Sequence, residues 1–348
     1  GINAIIERHD ILRTVFNTVN GQAYQQILEH QKLRIGQSDL RDVSPDTRET
    51  TAQNICTQET ARAFDLRRWP LIWCRVLRLA DDEWVLVLVM HHIISDGQSF
   101  DLMFDELGQF YEEFIGGTKA KLSALPIQYA DFAAWRQQKV ESDSIADQIA
   151  YWQDQFNDGP PVLELPTDKP RPAAQSPCGA KRSLTIPAAL CEQLRRLGGD
   201  ERATLFMVVL AAFNTLLHRY TGQERIAVGT PVSMRNRSEL SLVIGLLVNT
   251  LVLPTAISGD LSFRELLRRV RKTVINGFTH PDVPFERLVS LVHPDRDLSY
   301  NPLFQVMLQI SSLPTLRIEG LTAKPFEFAT GNSQYDLSFH LYETDGGL

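Results

Sequence analysis

The chain has 348 residues, 43% of them hydrophobic and 22% charged, with a net charge of −7. That length suits about two domains, the balance suits a globular protein, and the acidic excess gives nucleic acid no footing. No apolar stretch reaches membrane-spanning length. Cys56, Cys74, Cys178 and Cys191 form no CxxC pair, which fits a reduced, cytoplasmic setting better than a disulfide framework.

Residues 1–17 read as a helix followed by a strand. Leu71–Leu79 and Trp84–Met90 are two β-rich runs joined by Ala80-Asp81-Asp82-Glu83, an expected antiparallel hairpin. The second run ends in Met90-His91-His92-Ile93-Ile94-Ser95-Asp96-Gly97. Strand neighbours point to opposite faces, so one imidazole is expected inside and the other in a cleft. Imidazole is the side chain best suited to moving protons near neutral pH. Adjacent histidines with no third ligand nearby make a poor metal site, so no metal is expected.

A helix is predicted next. Phe100, Met103, Phe104, Leu107, Phe110, Tyr111 and Phe114 recur at helical spacing. Asp96 or Ser99 can cap its start, and Gly116-Gly117 end it. Residues 125–156 are aromatic and helix-prone. Pro160, Pro161, Pro166, Pro170, Pro172 and Pro177 then crowd one stretch, which reads as a linker over 160–180 between lobes 1–159 and 181–348. Beyond it, Ser183–Ile186 reads as a strand and Ala203–Tyr220 as an apolar helix. Arg225–Gly229 reads as a short strand, Leu242–Pro254 as a long apolar run, and Leu261–Phe278 as a helix. The order fits an α/β fold. Arg264, Arg268, Arg271 and Lys272 read first as a solvated face, with docking of an acidic partner as the minority reading.

GxSxG, P-loop, GxGxxG and HExxH motifs are all missing from the sequence. A His/Asp corner without a nucleophilic Ser or Cys suggests direct transfer between two bound substrates.

MHHIISDG resembles the HHxxxDG signature of condensation domains in nonribosomal peptide synthetases. Five further segments resemble that family in family order. They are Arg8–Thr14 (RHxxLRT), Ile127–Trp135 (YxDFAxW), Ile244–Thr250 (IGxFVNT), His280–Glu286 (HQDVPFE) and Arg296–Phe304 (RDxSxNPLF). Departures exist. Gln98 stands where many relatives carry Trp, and Pro254 where an Arg often follows IGxFVNT. The family's first motif is missing upstream of Arg8, and the chain opens without Met and stops at Leu348, so a fragment truncated at both ends is expected.

The resemblance implies two chloramphenicol-acetyltransferase-like lobes, each a mixed sheet packed with helices, in a V-shaped pseudodimer with the site between them. It implies amide formation between a donor acyl or peptidyl thioester and an acceptor aminoacyl amine. Both arrive on phosphopantetheine arms of carrier proteins, with no intrinsic cofactor, beside an adenylation domain of the same synthetase. His92 is implied as the cleft-facing imidazole, a proton acceptor or a positioning group. Asp96 is implied to hold the loop by pairing with Arg235, or alternatively Arg237. Gly97 lets backbone approach a thioester. His91 is expected to be structural and Asn249 to line the tunnel or satisfy backbone, while His280 and the DVPFE stretch are scaffold. The competing readings are an epimerisation-type domain, a coenzyme A-dependent HxxxD acyltransferase, and a catalytically silent domain that recruits a partner.

Overall fold

The computed structural model describes every residue except His30, 118–119, 293–296 and Asp345. Arg296, which opens the RDLSYNPLF segment, lies outside the described residues. In chain order the first elements are α1 (Ile2–Arg8), β1 (Thr14–Val19), β2 (Gln22–Ile27), β3 (Gly36–Asp39), α2 (Pro45–Thr60), β4 (Ile72–Arg78), β5 (Trp84–Met90), α3 (Gly97–Gly116) and α4 (Tyr129–Glu141). β1 and β2 form a hairpin, β3 lies parallel to β4, and β4 pairs antiparallel with β5 from Ile72↔Met90 to Arg78↔Trp84. The hairpin predicted from the alternation is therefore present. At its turn end the Arg78 guanidinium lies 4.9 Å over the Trp84 ring.

The later elements are α5 (Ala146–Gln155), α6 (Ala188–Asp200), α7 (Leu205–Thr221), β6 (Arg225–Ser233), β7 (Val248–Ala256), α8 (Phe263–Thr279), α9 (Phe285–Val292), β8 (Val306–Ser312) and β9 (Leu337–Glu343). β6 to β9 form a mixed sheet in the order β7-β6-β8-β9. Its core includes Val228, Val252, Leu267, Val270 and Phe304, all fully buried.

Backbone contacts divide the chain into two compact units. The first holds Gly1–Gln137, Arg235–Leu247 and Pro314–Thr330; the second holds Gln138–Met234, Val248–Leu313 and Gly331–Leu348. This division differs from the expected lobes 1–159 and 181–348. The proline-rich stretch 160–180 lies inside the second unit. Its prolines lack N–H groups and cannot extend a ladder, but its remaining backbone is tied down. Leu163 N donates to Gln305 Oε1 at 2.6 Å, and Val162 O accepts from Gln223 Nε2 at 2.8 Å. The stretch is a strap rather than a free linker.

Two other expectations change. Ser183–Ile186 forms no strand; Ile186 exchanges two backbone bonds with Leu348, and Pro187 makes only an isolated antiparallel bridge with Gly347 before α6 begins. The apolar run Leu242–Pro254 splits, its first part joining the first unit and its second becoming β7.

Among the described residues no single helix is long and apolar enough to cross a membrane. The bent pair α6 and α7 reaches that length together, at 102° to each other, but Val208, Leu210 and Ala211 of α7 are fully buried in the core.

Candidate active site

The strand β5 ends at Met90, one residue earlier than the histidines, and His92–Ile94 form a 3-10 turn. The two imidazoles differ in setting because the turn rotates them, not because of strand alternation. His91 is half-buried and His92 is exposed. His91 Nδ1 accepts from Ile93 N at 3.0 Å, which caps the turn. His92 Nδ1 lies 2.6 Å from Ser95 O. A carbonyl oxygen only accepts, so Nδ1 carries the proton. The neutral His92 ring therefore keeps its lone pair on Nε2, and no described residue hydrogen-bonds that atom. Burial holds His91 below its ordinary pKa, and the nearby His92 adds to the shift. His91 is thus kept as the neutral ring its acceptor role requires.

Asp96 begins α3 with a capping box: its Oδ1 accepts from Ser99 N at 2.9 Å, and Ser99 Oγ accepts from Asp96 N at 3.2 Å. The same carboxylate takes a two-pronged contact from Arg235, with Nη1 to Oδ2 at 2.7 Å and Nη2 to Oδ1 at 3.0 Å. Leu247 N donates to Oδ2 at 2.9 Å. Side-chain exposure is 2% for Arg235 and 4% for Asp96. A carboxylate so fully engaged has no free lone pair aimed outward and is a structural clamp rather than a base. Arg235, Leu247 and Asp96 all belong to the first unit, so the clamp fastens 235–247 to the start of α3. Arg237 does not share it; its guanidinium lies 5.1 Å over the Trp135 ring.

The contacts that join Ser99, Gly245 and Tyr129 in this corner escaped the sequence reading. Ser99 Oγ lies 3.0 Å from Gly245 O and accepts from Gly245 N at 3.1 Å. Gly245 has φ +153, and a Cβ there would stand 2.1 Å from the Tyr129 ring. Tyr129 covers it and donates to Leu246 O at 3.4 Å. Tyr129 sits in the YADFAAW segment and Gly245 in IGLLVNT, so both lay in recognised motifs; their mutual contact was the missing step.

Gly97 is exposed and a Cβ built on it would meet nothing within 4 Å. No packing reason requires glycine. Gly97→Ala is expected to leave stability unchanged or raised by up to about 1 kcal/mol, since Ala outranks Gly in a helix. Calorimetry checks it.

Asn249 in the second unit is 8% exposed, and its amide is spent on backbone. Nδ2 donates to Pro281 O at 2.8 Å and Val283 O at 2.7 Å, while Oδ1 accepts from Phe285 N at 3.2 Å. The amide braces the HPDVPF loop. Asn249→Ala strands those groups and is expected to cost about 2–4 kcal/mol in urea unfolding of the second unit. His280 stacks on Tyr151 at 4.1 Å and its Nδ1 lies 2.7 Å from Asn276 O.

The basic run on α8 is largely engaged within the chain. Arg264 and Arg268 reach Glu201 at 2.6 and 2.8 Å, and Arg271 donates to Arg202 O at 2.7 Å. No group of three or more His, Cys, Asp and Glu among the described residues could hold a metal ion.

The family model of the condensation domain matches residues 1–348. The chain belongs to the condensation-domain family. This condensation domain is 43% identical over 351 residues to a linear gramicidin synthase of Brevibacillus parabrevis, covering 100% of the chain and 4% of that protein. It is 40% identical over 305 residues to phosphinothricin tripeptide synthetase PhsC of Streptomyces viridochromogenes, covering 88% of the chain and 28% of PhsC. The chain thus spans a small part of the curated relatives it matches. Among solved structures, the four-domain nonribosomal peptide synthetase holo-AB3403, bound to AMP and glycine, superposes with a TM-score of 0.85 at 25% identity, over 99% of this chain and 27% of that one. The X-domain from teicoplanin biosynthesis gives 0.84 at 26% identity, over 99% and 76%.

Proposed function

We propose that this chain forms an amide bond by passing a donor acyl or peptidyl group from a thioester to the α-amine of an acceptor aminoacyl thioester. Phosphopantetheine arms of carrier proteins hold both, alongside an adenylation domain in a larger synthetase. The observation that carries this reading is the exposed Nε2 of His92, left with its lone pair by the Nδ1–H···O=C bond to Ser95. An α-amine titrates at roughly 7.7–8.0, so a useful fraction is already neutral. Nε2 then accepts a hydrogen bond from the attacking N–H and takes its proton as the C–N bond forms. The C–S bond breaks, and the proton passes to the departing thiolate. Holding both reactants together supplies the larger share of the acceleration. Gly97 leaves the helix start open for the thioester to approach, and the Asp96–Arg235 clamp keeps that helix start in place.

The fold alone does not decide for catalysis, since a solved complex pairs the teicoplanin X-domain with OxyB. The histidine corner supports the catalytic reading for this chain. Donor- and acceptor-loaded carriers mixed with the protein are expected to give an amide product by mass spectrometry. Binding of both carriers with only thioester hydrolysis would leave the recruitment reading standing. In the same assay Gly97→Ala is expected to slow transfer about tenfold or more, through a Cβ placed where substrate must pass.

A further inference from the structure

An aromatic group stands behind the histidine turn, all of it in the first unit. Phe64 lies in the irregular segment between α2 and β4, and Trp73 lies on β4. Their rings stack with centroids 4.6 Å apart and planes 9° apart. Phe64 also meets the His91 imidazole edge to face, at 5.5 Å and 87°. Arg62 places its guanidinium 4.3 Å over the Trp73 ring. Glu59, only 8% exposed, holds Arg62 at 2.8 Å and Arg75 at 2.9 Å. The Trp73 indole N–H is buried without a partner. An unmade buried hydrogen bond costs about 1–3 kcal/mol, so the indole contributes through its face rather than its donor.

We propose that Trp73 and Phe64 are positioning residues: their stack keeps the His91 ring neutral and turned so that Nδ1 accepts Ile93 N–H, and this bond sets the turn that presents His92. The proposal deepens the reading of the site given above and rests on it for its effect on rate. The logic is stereochemical. A protonated imidazole has two N–H donors and no acceptor. It would face the Ile93 N–H with a hydrogen of its own, and the turn would lose its cap. Phe64 shields His91 from water, which disfavours the charged ring. The charge acting on His91 directly is that of His92. Arg62, Glu59 and Arg75 stand beyond the two rings, on the α2 and β4 side.

The test is the pH dependence of amide formation by Phe64→Ala and Trp73→Ala, with a parallel NMR titration of the His91 ring. Each variant is expected to raise the His91 midpoint and move the acid limb of the rate up by about half a pH unit, roughly threefold in the fraction protonated. Trp73→Phe keeps a stacking face and is expected to keep the limb. In a His91→Asn background, where the side chain can accept but not titrate, Phe64→Ala is expected to move no limb. A His91 midpoint unchanged in Phe64→Ala overturns the proposal whether or not amide is formed. So does a rate loss equal at every pH. Absence of product from the wild-type protein would instead count against the proposed function, with the NMR titration still deciding the role of the stack.

Discussion

Arg235→Met is expected to destabilise the first unit by about 3–5 kcal/mol. The substitution keeps much of the apolar stem but removes the charge that faces Asp96. The Asp96 side chain is 4% exposed, so water cannot replace the lost partner. It also frees Val243 O, which accepts from Arg235 Nη2 at 3.0 Å. Domains are typically stable by about 5–15 kcal/mol, so this is a large share of the total. Urea unfolding monitored by tryptophan fluorescence measures it. A double cycle with Asp96→Leu separates the pair from the cap. Removing both charges is expected to recover part of the loss, because an unpaired buried charge is worse than none. The cap and the Leu247 N bond stay lost. A single-variant loss below about 1 kcal/mol would place Asp96 in contact with water and remove the clamp from the account.

His92→Ala is expected to behave oppositely: large in rate, small in stability. The ring is exposed, and its one bond to Ser95 O is worth about 0.5–1.5 kcal/mol. A positioned acid–base group typically contributes about 10²–10⁴-fold. Transfer between loaded carriers is therefore expected to fall by about that factor, with carrier binding and the unfolding midpoint nearly kept. If positioning of the amine dominates, His92→Gln, which retains a hydrogen-bonding side chain, recovers part of the rate; if proton transfer dominates, it recovers none.

The pH dependence of stability follows from His91. Its folded pKa lies below the ordinary imidazole value of 6.5, so the folded state favours the neutral ring. The stability linked to it is complete above the unfolded pKa and is lost as pH falls through the depressed value. Phe64→Ala narrows that gap.

The parts of this fold that were legible in the sequence are those where local chemistry is decisive. The β4–β5 hairpin follows from alternation and a short polar turn, and α3 from its stripe, its Asp96 cap and Gly117 at φ 68. The stripe was only half right: Met103 is fully buried, yet Phe114 is 87% exposed. α2 went unread because Ala52, Cys56 and Glu59 are its only buried residues, too thin a stripe for the helical period to show. The strap 160–180 read as a linker because prolines signal irregular backbone equally well when it is anchored. Arg235 as the partner of Asp96 came from the family pattern, since a contact between residues 139 apart in sequence leaves no local trace. The tautomer of His92 was out of reach for the same kind of reason: it depends on where Ser95 O points.

That tautomer is the hinge of the mechanism, and nitrogen NMR reads it directly. In protein with ¹⁵N-labelled histidine, the resonance lost in His92→Ala identifies the ring. At a pH where the ring is neutral, the account predicts a protonated Nδ1 and a bare Nε2. A neutral ring protonated at Nε2 would turn a hydrogen, not a lone pair, toward the amine and would contradict it.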